Sequence, residues 1–233
     1  MLWMPCLVAL TAFGCTSARD GDEPAFARAR AEMVATQIAA RGVRDERTLA
    51  ARRKVPRHLF VPPALAGQAY EDHPLPIGHG QTISQPYIVA FMTEALALRG
   101  GESVLEVGTG SGYQAAVLAG IAAKVHTIEI VAPLAEEAKE RLRRLGYDNV
   151  SVRAGDGYLG WPEAAPFDAI IVTAAAPRVP EPLKQQLKDG ARLILPLGEE
   201  WQELVVFTRR GASFEETRVL PVRFVPMTGK VRQ

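Results

Sequence analysis

The apolar positions of this chain follow two different spacings. Before residue 100, apolar side chains recur every three or four positions, which predicts amphipathic helices over residues 25–41, 46–55 and 86–98. Asp45 suits the N-cap of the second helix. From Ser103 onwards, short apolar runs rich in Val and Ile alternate with helical stretches, and such runs are typical of buried strands.

The alternating part predicts an α/β fold with a doubly wound, mostly parallel sheet, because strands separated by helices pair in parallel. The expected strands are 103–107, 125–130, 149–153, 167–173 and 191–197, and the expected helices are 113–121, 134–145 and 182–188. Two further apolar runs, 203–207 and 217–225, are separated by a turn signal at Gly211 rather than by a helix. We therefore expect an antiparallel hairpin at the edge of the sheet.

The longest stretch without a regular spacing is residues 57–85. It contains Pro, Gly, His and short apolar pieces, and we predict irregular structure there. A loop of this length in a compact domain is usually functional.

Residues 1–24 form an apolar N-terminal extension ahead of the regular pattern. The apolar run 7–13 is followed by Gly14-Cys15 and resembles a truncated signal or lipoprotein-like segment, although no Lys or Arg precedes it. No stretch reaches the ~18 apolar residues of a membrane-spanning helix. We expect one domain over residues 25–233 and a cytoplasmic protein, with export or lipid anchoring through residues 1–15 as the alternative.

Composition excludes several classes of chemistry. With 48% apolar and 23% charged residues, the 233-residue chain resembles an ordinary soluble globular protein. Its net charge of +1 leaves no large basic field for a polyanion. Both cysteines lie in the first fifteen residues, and no metal-site spacing links the histidines, which are His58, His73, His79 and His126. We therefore expect neither a nucleic-acid partner nor a metal.

The residues Gly108-Thr109-Gly110-Ser111-Gly112, here called the glycine loop, connect the strand 103–107 to the next helix. Because glycine lacks a Cβ atom, such a turn lets a ligand lie against backbone N–H groups. The letters from Gly110 to Ala115 also satisfy the dinucleotide fingerprint G-x-G-x-x-A. A nicotinamide enzyme therefore stays open, as does a turn that binds nothing.

Three acidic residues are expected near the carboxyl ends of the strands. Glu129 can accept both hydroxyls of a ribose, which would serve a nicotinamide or an adenosyl cofactor. Glu106, two residues before the loop, would repel a pyrophosphate but suits the ammonium and sulfonium of S-adenosylmethionine. Asp156, between two glycines, can accept from an adenine amino group or simply shape a turn. Together these acids favour S-adenosylmethionine.

Seven segments between about residue 28 and residue 229 carry a specific resemblance. They are RHLFVP at 57–62, LPIG at 75–78, GQTISQP at 80–86, VLEVGTGSGYQ at 104–114, AGDG at 154–157, APFD at 165–168 and VRFVP at 222–226. On these segments the chain resembles the protein-L-isoaspartate O-methyltransferases. The resemblance implies a Rossmann-like class I methyltransferase fold with N-terminal helices, and the QTISQP segment is close to diagnostic. Residues 1–24 depart from the pattern of the bacterial family.

The resemblance implies methyl transfer from S-adenosylmethionine to the free α-carboxylate of an L-isoaspartyl residue in a damaged protein or peptide. The ester then closes to a succinimide, whose hydrolysis returns some normal aspartyl residue. A carboxylate with a pKa of about 3.5 is already ionised at neutral pH, so the step needs positioning rather than a general base. The expected partners are isoaspartyl-containing proteins and peptides, and we expect a monomer.

The candidate site residues follow from the loop, the acids and the resemblance. The candidate cofactor contacts are Glu106, Gly108, Thr109, Gly110, Ser111, Gly112, Gln114, Glu129, Asp156 and Gly157. The candidate substrate contacts are Thr82, Ile83, Gln85 and Val225. The family places the active-site residue at Ser84, where it would orient the substrate carboxylate. A simpler interpretation makes Ser84 the N-cap of the helix that contains Pro86, and both roles can hold together.

Two other functions stay open. An NAD-dependent oxidoreductase is compatible with residues 110–115 and with Glu129, although Glu106 argues against it. A non-catalytic binding protein could keep the same fold, and a processed lipid anchor at the N-terminus would favour that alternative.

Overall fold

The computed structural model describes residues 23–233. In this part of the chain a seven-stranded sheet carries helices on both faces and is preceded by helices and a two-stranded hairpin. The predicted extension of residues 1–24 lies outside the described residues, except that Glu23 and Pro24 already belong to the first helix. Between residues 23 and 233, no helix combines the length and the apolar character needed to cross a membrane.

The chain begins with helices, as its apolar spacing predicts. Helix α1, a π-helical turn and a 3-10 turn follow one another without a break, over Glu23–Glu32, Met33–Ile38 and Ala39–Arg41. Gly42 ends this segment with a φ of 97°, a left-handed conformation that favours glycine. Helix α2 covers Glu46–Lys54, and the Asp45 side chain accepts a hydrogen bond from the backbone N–H of Thr48. The N-cap prediction for Asp45 is confirmed.

Residues 57–85 are more regular than predicted. They contain two 3-10 turns and then strands β1 and β2 of an antiparallel hairpin, over Arg57–Phe60, Pro63–Gln68, Leu75–Gly78 and Gln81–Ile83. The prediction of irregular structure is wrong for these four pieces. The hairpin strands are only three or four residues long, and their turn includes His79 with a φ of 52°, which non-glycine residues seldom adopt. Neither feature leaves a periodic signal in the sequence.

The sheet confirms the predicted doubly wound topology. In chain order its strands are β3 Ser103–Val107, β4 Lys124–Glu129, β5 Val150–Ala154, β6 Phe167–Val172, β7 Leu187–Leu197, β8 Gln202–Arg210 and β9 Ser213–Val222. They pair in the order β5-β4-β3-β6-β7-β8-β9. The first five strands in this order, β5, β4, β3, β6 and β7, are parallel to one another. Strands β8 and β9 are antiparallel and form the expected hairpin edge, with its turn at Gly211.

The remaining helices surround the sheet. Helices α3, α4, α5 and α6 cover Pro86–Ala95, Tyr113–Ala119, Ala132–Arg144 and Glu181–Gln185. Three short 3-10 turns cover Gly157–Leu159, Pro162–Ala164 and Lys230–Arg232. Helix α3 ends three residues earlier than predicted, because Ala97 adopts a φ of 54° that a helix cannot contain.

Helix α6 is also shorter than the predicted helix 182–188. It ends at Gln185, and β7 begins at Leu187 rather than at residue 191. Leu187 pairs with Phe167 of β6, and the Phe167 N–H donates to the carbonyl of Gln186. Pairing with β6 therefore overrides the local helical preference of these residues.

Side chains alternate between the two faces of the sheet and build two apolar clusters. Val104 and Ile171 belong to the cluster that contains buried residues of α2 to α5 and of the β1–β2 hairpin. Leu105 and Ile170 belong to the other cluster, which contains Leu183 of α6 and residues near the C-terminus. The hairpin is thus attached to the face of the sheet that also carries α3 and α4.

We predict that Asp45→Ala lowers the free energy of unfolding by about 1 kcal/mol, because the Thr48 N–H at the start of α2 loses its acceptor. Urea denaturation of both proteins measures the difference. Asp45→Asn keeps an acceptor at the same position and should stay close to the wild type. An unchanged unfolding midpoint in Asp45→Ala would contradict the assigned cap.

Candidate active site

The candidate site lies where the strand order reverses. β4 pairs with one side of β3 and β6 pairs with the other side. In open parallel sheets, ligands bind in the crevice at the carboxyl ends of such strands. A cavity opens at this place, between the glycine loop, the end of β4, strand β2 and the C-terminal segment 225–228.

Most of the predicted cofactor residues line this cavity. They are Gly108, Thr109, Gly110, Ser111, Gln114, Glu129 and Gly157. Gln114 is held there by a 3.0 Å hydrogen bond from its Nε2 to the hydroxyl of Thr93 on α3. Glu106, Gly112 and Asp156 are close in sequence to the lining residues but do not line the cavity themselves.

The glycine loop is shaped by close packing of its backbone. Gly108 has a φ of 101°, and a Cβ atom there would lie 2.3 Å from the Thr173 hydroxyl oxygen. That hydroxyl donates to the Gly108 carbonyl at 2.6 Å and ties the loop to the end of β6. Gly112 has a φ of 87°, and a Cβ atom there would lie 3.1 Å from Leu142 of α5. Gly112 therefore serves the approach of the loop to α5, and the loop itself faces the cavity.

Glu129 fastens the glycine loop from the end of β4. Its Oε2 accepts the N–H of Gly110 at 2.8 Å, and its Oε1 accepts the N–H of Val131 at 3.0 Å. The side chain is nearly buried, yet it lines the cavity. A carboxylate held by two backbone N–H groups in this way keeps lone pairs for hydroxyl groups of a ligand.

The Glu106 side chain is linked to the glycine loop through the hydroxyl groups of two threonines. Its Oε2 accepts from the Thr127 hydroxyl at 2.5 Å, and that hydroxyl lies 2.6 Å from the hydroxyl of Thr109. Glu106 is fully buried, and its Oε1 has no hydrogen-bond partner among residues 23–233. Burial, with a smaller contribution from the charge of Glu129, raises the pKa of Glu106 to about 8. At neutral pH this carboxyl group is therefore mainly protonated.

Asp156 anchors the C-terminal segment. Its Oδ2 accepts the backbone N–H of Lys230 at 2.8 Å, and its Oδ1 accepts that of Tyr158 at 2.9 Å. A Cβ atom on Gly229 would lie 2.6 Å from Oδ2. The neighbouring Gly157 lines the cavity, but any contact of Asp156 with an adenine would have to use the lone pairs that these bonds leave free.

A groove adjoins the cavity and shares part of its wall. The residues that line both are Thr82, Ser84, Thr173, Val225 and Pro226. Gln85 lines the groove and Ile83 lines the cavity. The structure thus brings all the predicted substrate residues together at this boundary. The groove is also lined by Arg223, an exposed cation.

Ser84 is not the N-cap of α3. Helix α3 starts directly at Pro86, so the N-cap position falls on Gln85, whose side chain makes no capping hydrogen bond. The Gln85 Nε2 instead donates to the backbone carbonyl of Asp72 at 3.0 Å. The N-cap prediction for Ser84 is wrong because proline occupies the first helical position rather than the second. Ser84 lies instead at the junction of the cavity and the groove.

Sequence reasoning missed several lining residues. Thr173 and Ala174 follow β6 directly, and the rule that parallel strands point their carboxyl ends at a ligand could have found them. Met227 and Thr228 reach the cavity because the C-terminal segment pairs with Ala175, whose N–H donates to Val225 and whose carbonyl accepts from Met227. No local pattern in the sequence signals that pairing.

A family model described as protein-L-isoaspartate(D-aspartate) O-methyltransferase matches residues 28–232. The chain belongs to this family. A protein-L-isoaspartate O-methyltransferase 2 from Shewanella sediminis is 57% identical over 211 residues, which cover 90% of this chain and 86% of the relative. A protein-L-isoaspartate O-methyltransferase 1 from Syntrophobacter fumaroxidans is 55% identical over 206 residues, or 88% of this chain and 96% of the relative.

Solved structures of isoaspartyl methyltransferases share the fold. A protein-L-isoaspartate O-methyltransferase matches with a TM-score of 0.79 and 32% identity, over 86% of this chain and 67% of that one. A Plasmodium falciparum protein in complex with S-adenosyl-L-homocysteine matches with a TM-score of 0.75 and 27% identity, over 85% of this chain and 98% of that one. These matches confirm the predicted fold class and family.

The isoaspartyl methyltransferases use S-adenosylmethionine, and the residues of this member fit that cofactor. The cavity offers a nearly buried carboxylate at Glu129 for hydroxyl groups and a glycine-lined backbone for close approach. The nicotinamide alternative gains no support, because the family match covers the whole G-x-G-x-x-A stretch on which it depended. The non-catalytic alternative gains none either.

We predict that Glu129→Ala weakens binding of S-adenosylhomocysteine by about 2–3 kcal/mol, because the N–H groups of Gly110 and Val131 and the ligand hydroxyls lose a charged acceptor. Calorimetry on the folded proteins measures the two dissociation constants. Glu136→Ala, on the exposed side of α5, is the matched control and should bind like the wild type. An unchanged constant in Glu129→Ala would remove Glu129 from the cofactor site.

We predict that Glu106 makes the protein less stable as the pH rises. Its pKa is near 8 when folded and near its ordinary value when unfolded, so between those values the unfolded state releases the proton first. The free energy of unfolding should fall by at most about 1.4 kcal/mol per pH unit across this window. Glu106→Gln should lack this loss, and parallel slopes for the two proteins from pH 5 to pH 8 would contradict the assignment.

Proposed function

We propose that this isoaspartyl methyltransferase holds S-adenosylmethionine in the cavity and the isoaspartyl segment of its substrate in the groove, with Ser84 at their junction. When bound, S-adenosylmethionine supplies a sulfonium methyl group that a carboxylate oxygen can accept. The observation that carries the proposal is the wall shared by cavity and groove, because a methyl group can pass only between ligands that meet.

On the cofactor side, the chain binds and orients. Glu129 is suited to accept hydroxyl groups, and Gln114, fixed by Thr93, offers an amide near the glycine loop. Val89, Met92 and Met227 line the same cavity with apolar surface. Apolar walls limit the water around the reacting groups, which strengthens every electrostatic contact there.

On the substrate side, the chain positions an anion. The Ser84 hydroxyl can donate to the isoaspartyl carboxylate, and Thr82 offers a second hydroxyl beside it. The first turn of α3 adds backbone N–H groups without intrahelical partners and the positive end of the helix dipole. Arg223 adds a positive charge in the groove. An ionised carboxylate needs no general base, so orientation is the task left to these residues.

The substrate is a protein or peptide chain, and the groove is the place proposed for it. One wall of the groove consists of residues 221–226, which are the last two residues of β9 and the four residues that follow it. The edge strand β9 at this wall can lie beside an extended peptide chain. We propose that a monomer of residues 25–233 is sufficient for this activity, and that the protein works in the cytoplasm, where S-adenosylmethionine is made.

The activity is tested by methyl transfer from labelled S-adenosylmethionine to a pair of synthetic peptides. One peptide contains an L-isoaspartyl residue, and its control has the same sequence with a normal aspartyl residue. We expect base-labile label only in the isoaspartyl peptide. Equal labelling of both peptides, or none in either with folded protein that binds S-adenosylhomocysteine, would overturn the proposal.

We predict that Ser84→Ala lowers kcat/KM for the isoaspartyl peptide by one to three orders of magnitude, or roughly 1.4–4 kcal/mol, because the carboxylate loses an orienting donor. The melting temperature and the affinity for S-adenosylhomocysteine should stay near the wild type, since Ser84 does not cap α3. Ser151→Ala, at an exposed position of β5, controls for loss of a serine hydroxyl. Wild-type kinetics in Ser84→Ala would leave Ser84 without a catalytic role.

A further inference from the structure

Two arginines are buried outside the cavity and the groove. Arg52 lies on α2 and Arg57 lies on the 3-10 turn that follows it, and neither side chain is exposed to solvent. Arginine is almost never fully buried unless it is paired with an acid. This pair therefore calls for an explanation that the fold alone does not supply.

The two guanidinium groups share one aromatic ring. The guanidinium carbon of Arg52 lies 4.8 Å from the ring centre of Tyr113, and that of Arg57 lies 5.0 Å from it. Arg57 Nε donates to the backbone carbonyl of Ala69 at 2.7 Å. Arg52 Nη2 donates to the backbone carbonyl of Pro86 at 3.2 Å. Each cation is thus held by a carbonyl oxygen and by the face of Tyr113.

No carboxylate lies within 4 Å of either guanidinium anywhere in residues 23–233. Within that range, Arg52 Nε and Nη1 and both terminal nitrogens of Arg57 also lack hydrogen-bond partners. Burial lowers the pKa of both groups, that of Arg57 to about 10, and the charge of Arg52 contributes to the shift of Arg57. Because a guanidinium group is not deprotonated in proteins, the protein carries two adjacent buried charges that disfavour the folded state.

The contacts of Arg52 connect the two sides of the active site. Pro86 is the first residue of α3 and lies two positions after Ser84, on the substrate side. Tyr113 is the first residue of α4 and directly follows Gly112 of the glycine loop, on the cofactor side. Arg52 touches neither the cavity nor the groove, yet it contacts the first residue of both helices.

We infer that Arg52 is a positioning residue, which holds the start of α3 against the start of α4 and so sets Ser84 at the right distance from the glycine loop. The inference rests on the proposed function, in which Ser84 orients the substrate carboxylate beside the cofactor. Near-attack geometry tolerates errors of only a fraction of an ångström, so a shift of α3 is sufficient to slow the transfer. The unpaired buried charge is the cost in stability of this placement.

Arg52→Met tests the inference, because methionine fills a similar volume and removes the charge and the bond to Pro86. We expect the melting temperature to stay equal or rise, since a buried, unpaired charge is removed. We expect kcat for the isoaspartyl peptide to fall about tenfold or more, while the dissociation constant for S-adenosylhomocysteine changes by less than about threefold. A residue with a purely structural role would move stability and turnover in the same direction.

Arg53→Met is the matched control, because Arg53 is the next residue of α2, half-exposed and paired with Glu46. It should leave kcat unchanged. Arg52→Lys keeps a cation and one donor near Pro86 and should recover part of the lost kcat. Wild-type kcat in Arg52→Met would overturn the inference, and so would a lower melting temperature or an unfolded protein, because Arg52 would then act as a structural residue.

The wild type distinguishes this inference from the proposed function. If the wild type does not methylate the isoaspartyl peptide, the proposed function fails by itself. If it does, and Arg52→Met does so equally well, only the role of Arg52 fails.

Discussion

The rest of the site depends on how the glycine loop is held at the end of β3. A loop of five residues with three glycines has many accessible conformations when it is free. Here Glu129 binds the N–H of Gly110 from β4, and Thr173 binds the carbonyl of Gly108 from beyond β6. The two neighbouring strands thus restrain the loop from opposite sides. A ligand finds a backbone surface that is already ordered, so little further entropy is lost on binding.

The second wall of the site comes from parts of the chain far from the loop in sequence. The β1–β2 hairpin leads into Ser84. Its residue Ile77 approaches Gly110 so closely that a Cβ atom on Gly110 would lie 3.2 Å from the Ile77 side chain. The C-terminal segment returns to the sheet, where its backbone is hydrogen-bonded to Ala175 and the N–H of Lys230 donates to Asp156. The cavity and the groove are therefore formed by one shared surface, so two ligands bound in them would meet there.

Two buried ionisable groups, Glu106 and Arg52, lie behind this surface. Glu106 is a neutral acid under the loop at neutral pH, and Arg52 is a cation behind two helix starts. Neither lines the cavity. Burial of these two groups lowers the stability of the folded state. Glu106 is linked through Thr127 to Thr109, and Arg52 contacts Tyr113, and both Thr109 and Tyr113 line the cavity. In the proposed reaction the carboxylate of the substrate is already ionised and has only to be positioned. Fixed residues around the cavity serve that purpose.

Local patterns in the sequence were sufficient for much of this protein. The spacing of apolar residues predicted the sheet strands and their alternation with helices. A strand that is buried on both faces of the sheet is apolar along its whole length, and this leaves a recognisable run in the sequence. The glycine loop and the acids Glu106, Glu129 and Asp156 favoured S-adenosylmethionine, and the QTISQP segment carried the resemblance that indicated the family and Ser84. Asp45 was recognisable as a cap because capping involves only residues three apart.

Other features were decided by contacts between distant residues, for which a single sequence carries no signal. β7 begins at Leu187 because β6 is available to pair with it, and the predicted helix yields to that ladder. Asp156 holds Lys230, and Glu106 lies behind two threonines, although each acid looked like a cofactor ligand in the sequence. The burial of Arg52 against Pro86 and Tyr113 is likewise set by tertiary packing. Sequence patterns report which residues are chemically able to bind, whereas only the packed chain decides which of them have their hydrogen-bonding capacity already used.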